Sequence, residues 1–359
     1  METRLTGTRV WLRGVGVIAL AAVAFGWSAA AQEFLPFLLV RNRIVLPAMV
    51  NGEGPYAFVL DTAGTHTAVD QTVAAHLGLS GETAEVDIAV CGQRAFAGEA
   101  LTGDLSGFAK QLGMNVAGVL GGRTMTGMLE LDFAHRAALW QSAIVIAGEN
   151  PNRVRLETGP EGAWVPCAVD GGEPTPAVID TLFAGTLRLP AGRLGEGVEP
   201  AARLVGTGET FARLKSVQVA AAAVRNPVCT VSQDARTAAL GVGYLRHFRV
   251  TLGLPDKFVT LEPPTQGKAE EAAVRGTGIV PARATEAGWT VDVVAGSPAD
   301  EAGVRPGDVL FAVHGIGLAG AAFDRVQELL SAEGGPAVRV DLLRDGTAYA
   351  LELTPKRLF

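Results

Sequence analysis

The sequence feature that most constrains this chain is a short apolar run that ends in an aspartate and occurs twice. Residues 58–62 read Phe-Val-Leu-Asp-Thr, and residues 177–181 read Ala-Val-Ile-Asp-Thr, so that Asp61 and Asp180 lie 119 positions apart. Apolar runs bounded by turn residues are typical of buried strands. An ionised carboxylate at such a place is costly unless it is paired or hydrogen-bonded. The repeat therefore predicts two strands whose carboxylates meet.

A second apolar segment, ending in glycine, follows each aspartate at nearly the same distance. Gly121 ends Val-Leu-Gly 60 residues after Asp61, and Gly241 ends Ala-Leu-Gly 61 residues after Asp180. Self-similarity at a fixed offset indicates duplicated structural units. We therefore expect two related β domains, over residues 32–150 and 151–264.

Composition agrees with a mainly β chain of more than one domain. The 359 residues are enough for two or three domains, and 45 glycines and 19 prolines favour many short strands and turns. The formal charge of −7, without any lysine and arginine run, argues against nucleic acid or an anionic membrane surface as a partner.

The first 31 residues have the pattern of a signal peptide. Basic residues at Arg4, Arg9 and Arg13 precede an apolar stretch over residues 15–27, and small residues follow up to Ala31. This pattern predicts cleavage near Ala31 and a mature chain that is periplasmic or secreted, without membrane contact after signal removal. An uncleaved membrane anchor is the alternative interpretation.

The aspartate motifs resemble the Asp-Thr-Gly loops of aspartic proteases, in particular bacterial retropepsin-like enzymes. The segments ending in Gly121 and Gly241 match those that brace the loops in that family. Residues 244–252 resemble the strand region that follows the second such glycine. The resemblance covers about residues 40–263 and implies two aspartic-protease-type β-barrel halves.

The resemblance also implies a mechanism and its residues. Asp61 and Asp180 would share one proton and activate a water for hydrolysis of a polypeptide substrate, with no metal and no other cofactor. Thr62 and Thr181 would tie the two loops together through their hydroxyl groups. Ala63 and Gly64 would complete the first loop.

The chain departs from the family pattern in both loops. Ala63 and Leu182 stand where the family has glycine, and residues 182–185 indicate a two-residue insertion before an Ala-Gly-Thr-like sequence. We expect substrate-covering hairpins near residues 97–99 and 206–208. Three alternatives stay open: each aspartate only caps a turn, the chain is an inactive peptide-binding scaffold, or Asp61 pairs with Asp61 of another chain.

The C-terminal part resembles PDZ domains. Residues 296–310 carry the resemblance, which extends over residues 274–359 after a polar linker at residues 265–273. It implies a β-sandwich with two helices and a loop that holds a peptide C-terminus through backbone N–H groups. The loop residues are Gly276, Thr277, Gly278 and Ile279. The alternative is that this unit only packs against its neighbours.

The remaining residue types leave several questions open. Cys91, Cys167 and Cys229 are compatible with one disulfide and a spare thiol, or with three buried thiols. The five histidines form no zinc motif, and no cofactor motif is present. The PDZ ligand, the substrate specificity and the oligomeric state are not specified by the sequence.

Overall fold

The computed structural model describes residues 34–141, 150–193, 201–263, 269–272, 274–331 and 337–358. The proposed signal peptide and most of the proposed linker lie outside these ranges, and so do residues 143–146, whose apolar run predicts a further strand. The described residues are mainly in β-strands, and the predicted fold class is confirmed.

The described residues of the first half form ten strands and two helices. Its strands are β1 (Leu35–Pro36), β2 (Leu38–Val40), β3 (Arg43–Val50), β4 (Glu53–Asp61), β5 (Ala68–Asp70), β6 (Thr83–Val90), β7 (Gln93–Gly103), β8 (Gly118–Gly121), β9 (Met128–Asp132) and β10 (Ala137–Gln141). Its helices are α1 (Gln71–His76) and α2 (Ser106–Leu112), and a 3-10 turn covers Gly122–Thr124. Seven strands follow the order β2-β3-β4-β8-β5-β7-β6, and an additional pairing of β3 with β6 closes the sheet on itself.

The described residues of the second half form a ten-stranded sheet, three further strands and one short helix. Its strands are β11 (Arg153–Arg155), β12 (Glu157–Gly159), β13 (Gly162–Val169), β14 (Thr175–Ile179), β15 (Leu187–Pro190), β16 (Ala202–Arg203), β17 (Thr210–Arg213), β18 (Ser216–Val219), β19 (Ala222–Arg225), β20 (Val228–Ser232), β21 (Ala238–Leu240), β22 (Arg249–Gly253) and β23 (Phe258–Glu262). The helix is α3 (Val242–Leu245), and a 3-10 turn covers Ala191–Arg193. The sheet runs in the order β16-β17-β20-β15-β21-β14-β13-β18-β19, with β12 paired to β13.

The C-terminal unit has eight strands and two helices among the described residues. Its elements are β24 (Arg275–Gly276), β25 (Ile279–Ala284), β26 (Trp289–Val293), α4 (Pro298–Glu301), β27 (Val309–Val313), β28 (Ile316–Gly317), α5 (Phe323–Leu330), β29 (Val338–Arg344), β30 (Thr347–Leu353) and β31 (Lys356–Arg357). The main sheet has the order β25-β26-β27-β29-β30, so that β25 is at its edge. Helix α4 begins as its sequence predicts, because Ser297 caps it and Pro298 occupies its first turn.

Two pairs of parallel strands recur in the two halves and place the aspartates. Strand β4 pairs in parallel with β8, and β14 pairs in parallel with β21. Likewise β5 pairs with β7, and β15 pairs with β20. The aspartate-bearing strand of each half therefore lies beside the glycine-bearing strand of the same half.

The two halves also share one sheet. Its order is β1-β10-β9-β22-β23-β11, and the pairing of β9 with β22 joins strands from the two halves. One large apolar core extends through both halves, whereas the C-terminal unit has a core of its own, with Trp289 buried in it. The shared sheet fixes the two aspartate loops relative to each other.

Three details differ from the sequence-based expectations. Residues 244–252 are not one strand region: Tyr244 and Leu245 belong to α3, because the backbone turns tightly after Gly241, and β22 begins at Arg249. Residues 97–99 lie within β7 and are paired with β6, so they form no hairpin tip. The insertion in the second loop amounts to one residue by sheet register, because Ala68 faces Val119 seven residues after Asp61, and Arg188 faces Ala239 eight residues after Asp180.

Candidate active site

Asp61 ends β4 and is held by the turn that follows it. Its backbone is in register with Gly121 of the parallel strand β8. The Gly64 N–H donates to Oδ1 of Asp61 over 2.8 Å. A Cβ at Gly64 would lie only 2.6 Å from Oδ2 of Asp61, so the carboxyl group needs a glycine here. The first loop thus keeps, one position after Ala63, a glycine that fits the observed position of the Asp61 carboxyl group.

Asp180 follows β14 and is more tightly held than Asp61. Its backbone N–H donates to the Leu240 carbonyl over 2.9 Å. Oδ1 accepts hydrogen bonds from the N–H groups of Leu182 and Phe183, at 3.0 and 3.1 Å. Oδ2 accepts from Nη2 of Arg188 at 3.0 Å. Both oxygens of this carboxylate therefore have donors.

Thr62 and Thr181 bind the two aspartate loops to each other. Oγ1 of Thr62 donates to the Ile179 carbonyl at 2.7 Å, and Oγ1 of Thr181 donates to the Leu60 carbonyl at 2.6 Å. Each hydroxyl also accepts the backbone N–H of the other threonine, at 3.0 and 3.1 Å. Both side chains are buried, at 2% and 0% exposure. Four reciprocal hydrogen bonds therefore hold the two loops in one site.

Gly121 and Gly241 are required because the aspartate loops pass directly over them. A Cβ at Gly121 would collide with the His66 carbonyl, and a Cβ at Gly241 would collide with the carbonyls of Phe183 and Gly185. Neither glycine has a left-handed backbone, so their role is close approach and not turn formation. The glycine segments found in the sequence therefore support the loops by direct contact.

Burial and the neighbouring charge of Asp180 raise the pKa of Asp61 to about 6. Hydrogen bonds from Gly64 and Ala63 act in the opposite direction and limit the rise. When two carboxyl groups are close together, the charge of one opposes the ionisation of the other. The pair can then hold a single proton between them. A large share of Asp61 is therefore protonated at mildly acidic pH.

Arg188 is a member of the site that the sequence motifs do not reveal. Its guanidinium group pairs with Asp180 and lies 4.9 Å from the centre of the Phe183 ring. The side chain of Asp180 is 14% exposed in this arrangement and that of Arg188 is 35% exposed. The sequence signal for Arg188 is the alternation of β15, in which Arg188 lies between two buried leucines and therefore on the opposite face of the strand.

Arg43 is a second positive group close to Asp180. Burial lowers the pKa of Arg43, while the charge of Asp180 raises it, so the two groups interact electrostatically. Nη1 of Arg43 donates to the Arg41 carbonyl at 3.2 Å. Arg43 begins β3, far from either motif in the sequence, and no local pattern assigned it to the site.

The hairpin expected at residues 206–208 connects β16 to β17 and lies against the C-terminal unit. The N–H groups of Gly206 and Thr207 donate to the two carboxylate oxygens of Asp292, at 2.7 and 3.0 Å. Burial raises the pKa of Glu209, the charge of Arg188 lowers it and that of Asp292 raises it, so Glu209 interacts electrostatically with both groups. The hairpin thus binds Asp292 of β26 through its backbone and interacts with Arg188 through Glu209.

The four residues expected to bind a peptide carboxylate run from Gly276, at the end of β24, to Ile279, at the start of β25. Gly276 pairs with Lys356. Gly278 has a left-handed backbone, and a Cβ at this position would also collide with the side chain of Ser297. Thr277 is buried, and its hydroxyl accepts the Ile279 N–H at 3.3 Å. One loop N–H therefore already has an acceptor inside the loop.

Three further observations concern the described part of the chain. Cys91, Cys167 and Cys229 are free thiols, and burial raises the pKa of each of them. Within the same ranges, no group of three or more histidine, cysteine or acidic side chains is arranged to hold a metal ion. Nor does any helix there have both the length and the apolar character needed to span a bilayer.

Comparison with known proteins agrees with the geometry of the loops. Residues 46–102 match the family model described as aspartyl protease, and residues 289–344 match the model of the PDZ domain. No curated protein matches. Together with the duplicated loops, the two matches support a retropepsin-like protease fold followed by a PDZ domain.

One solved structure is described as a retropepsin-like aspartic protease from Rickettsia conorii. It is 16% identical to this chain, and the alignment covers 33% of this chain and 96% of that one with a TM-score of 0.26. A score of this size carries no argument about the present fold. The assignment therefore depends on the two family models and on the site itself.

Proposed function

We propose that the chain is an exported aspartic endopeptidase that hydrolyses peptide bonds with a water held between Asp61 and Asp180. The observation that carries this proposal is the set of four reciprocal hydrogen bonds between the loops of Thr62 and Thr181. A loop that only capped a turn would need no partner loop. The C-terminal PDZ domain would recruit or regulate polypeptide substrates.

The two carboxyl groups would have different roles. Asp61, whose pKa is raised to about 6, would carry the shared proton and donate a hydrogen bond to the scissile carbonyl. Asp180 would accept a proton from the water, whose oxygen attacks the carbonyl carbon directly and forms a tetrahedral diol. Collapse of the diol then breaks the C–N bond, the proton held by Asp180 passes to the leaving nitrogen, and a diol hydroxyl returns a proton to Asp61. Because water is the nucleophile, no covalent intermediate with the protein forms. The pair titrates as a unit, and its pH profile reports both groups.

A second candidate function is peptide binding without hydrolysis. The observation that favours it is the Arg188 contact, because an arginine on Oδ2 competes with a water for the same acceptor. In that case the site would bind an extended chain, and the PDZ domain would add a second binding surface.

The test is cleavage of a chemically unfolded protein by the purified mature chain between about pH 4 and 7. We expect cleavage by the parent chain and loss of it in both Asp61→Asn and Asp180→Asn, with the exposed Asp256→Asn as the matched control. Loss in Asp61→Asn alone would reject an intrachain pair and favour pairing between chains. Peptide binding by a parent chain that cleaves nothing would favour the second candidate.

A further inference from the structure

The turn between β2 and β3 reaches from the first protease half into the PDZ domain. Arg41 and Asn42 form this turn, and both have left-handed backbone conformations. The guanidinium group of Arg41 donates to the Pro281 carbonyl at 2.9 Å and to the Ala282 carbonyl at 2.8 Å. It also donates to the Gln111 carbonyl at the end of α2. A single side chain thus links two elements of the first half to strand β25.

Strand β25 offers these carbonyls because it is a sheet edge with an irregularity. Its register against β26 shifts between Pro281 and Arg283, which leaves Ala282 outside the ladder. Unpaired backbone groups on a sheet edge are the template for adding another strand. Arg41 therefore occupies acceptors that an added strand would use.

The same guanidinium group also covers the helix that faces β25. Its central carbon lies 4.2 Å from the centre of the Phe323 ring, at the start of α5, and 5.6 Å from the Trp289 ring. Arginine stacks well on aromatic faces while its planar fork makes several hydrogen bonds. Burial and the nearby Arg43 lower the pKa of Arg41 to about 10, so the group is still charged at neutral pH.

We propose that Arg41 occupies the peptide groove between β25 and α5 from within the same chain, and that an extended peptide must displace it to bind there. The ligand class is a peptide that adds a strand to β25. The apparent affinity for such a peptide is then the affinity of the open groove multiplied by the fraction of molecules in which Arg41 has left it.

Displacement of the Arg41–Asn42 turn would also affect the loop that begins at Asp180. Nδ2 of Asn42 donates to the Ala184 carbonyl at 3.1 Å, and Ala184 lies in the loop that begins at Asp180. Arg43, the next residue, interacts with Asp180 itself. A peptide that moves the turn would therefore remove support from the Asp180 loop and slow cleavage. This second step rests on the proposed function, whereas the competition for the groove does not.

The binding test uses the full chain carrying Asp61→Asn, so that no probe is cut. The probe is a pool of random heptapeptides with free carboxyl termini. Peptides retained by the immobilised chain are sequenced, and the affinity of each recovered peptide is then measured by titration. We expect Arg41→Ala to bind about tenfold more tightly than the parent, because the competitor is gone. Arg41→Lys, which keeps the charge without the planar fork, should give an intermediate affinity and serves if the alanine variant folds poorly.

The matched control is Arg136→Ala, since Arg136 is an exposed arginine with a similar left-handed backbone in another turn of the same half. It should bind the pool as the parent does. Equal affinities for Arg41→Ala and the parent would overturn the proposal, and so would the absence of binding in both.

The coupling test uses the catalytically intact chain. Asn42→Gly, which tolerates the left-handed backbone, should reduce kcat while peptide affinity stays within about twofold of the parent value, because the hydrogen bond to the Ala184 carbonyl is lost together with the longer one from Arg246. Unchanged kcat would overturn the coupling step. If the parent cleaves nothing, the proposed function fails, and the binding arm still decides whether Arg41 and a peptide compete.

Discussion

Nη2 of Arg188 lies 3.0 Å from Oδ2 of Asp180, and the corresponding place in the first half is taken by Ala68. Both residues face the same position of the neighbouring strand, two residues before the supporting glycine. The two halves therefore repeat their backbone but not their electrostatics. One carboxyl group has an arginine partner, whereas in the described part of the chain the donors to the other are backbone N–H groups.

Replacing Arg188 by methionine should move the alkaline limit of activity upward. The positive charge of Arg188 offsets part of the field that Asp180 exerts on Asp61, whose pKa is about 6. Without it, Asp61 should hold its proton to a pH about one unit higher. The measurement is a pH–rate profile of Arg188→Met between pH 4 and 8. The exposed Arg225→Met is the control, and an unshifted limb in Arg188→Met would contradict this interpretation.

Asp61→Asn should stabilise the fold at pH 8 and have little effect at pH 4. The pKa of Asp61 is raised from 3.8 to about 6 in the folded chain. The protonated carboxyl group of Asp61 contributes favourably to the free energy of unfolding below pH 4. This contribution is lost as the pH rises through 6, because the folded state must then hold a buried charge. The variant avoids this cost, and we expect about 2 kcal/mol more free energy of unfolding at pH 8.

Urea unfolding at the two pH values measures this difference. Asp256→Asn, in an exposed turn, should change the stability little at either pH. Equal stabilities of Asp61→Asn and the parent at pH 8 would show that the Asp61 carboxylate is better solvated than its surroundings indicate.

The backbone of the site was predictable because it depends on local sequence. The apolar runs before Asp61 and Asp180 predict buried strands, and the glycines at 121 and 241 follow at a repeated offset. Ser297 and Pro298 likewise mark the start of α4. In each of these cases the residues that determine the structure lie within one short segment.

The rest of the site could not be predicted because it depends on contacts between distant segments. The alternation of β15 does not show that Arg188 turns toward Asp180, since that depends on a loop one residue longer than its counterpart. Arg41 approaches Ala282 across 241 positions, and a solvent-exposed turn arginine has the same sequence pattern. Such pairings are set by the packing of whole sheets and not by spacing.

Thr62→Val should destabilise the chain and abolish cleavage. The substitution keeps the shape of the side chain but removes the hydroxyl that donates to the Ile179 carbonyl and accepts the Thr181 N–H. Two buried backbone groups then lose their partner, at a cost of about 2–4 kcal/mol. Thermal or urea unfolding measures the loss, with the exposed Thr72→Val as control. A fully stable variant would mean that the two loops do not depend on each other.

Leu182→Gly tests whether the departure from the family loop is harmful or useful. Glycine is the family residue at this position, and restoring it would help if the bulk of leucine displaced Asp180. In the structure, however, the Leu182 side chain packs on a small apolar cluster of the first half that includes Val45 and Val59. Its N–H meanwhile donates to Asp180. We therefore expect Leu182→Gly to lose about 2 kcal/mol of stability and not to gain activity.

Leu182→Ala separates the two contributions to that loss. Alanine removes the packing against the first half and keeps the backbone restrained, so it should account for most of the destabilisation. A gain in kcat for the glycine variant over the alanine variant would contradict the argument, because it would mean that backbone freedom at this position limits catalysis. Unfolding by urea and single-turnover cleavage, measured on the same preparations, distinguish the two outcomes.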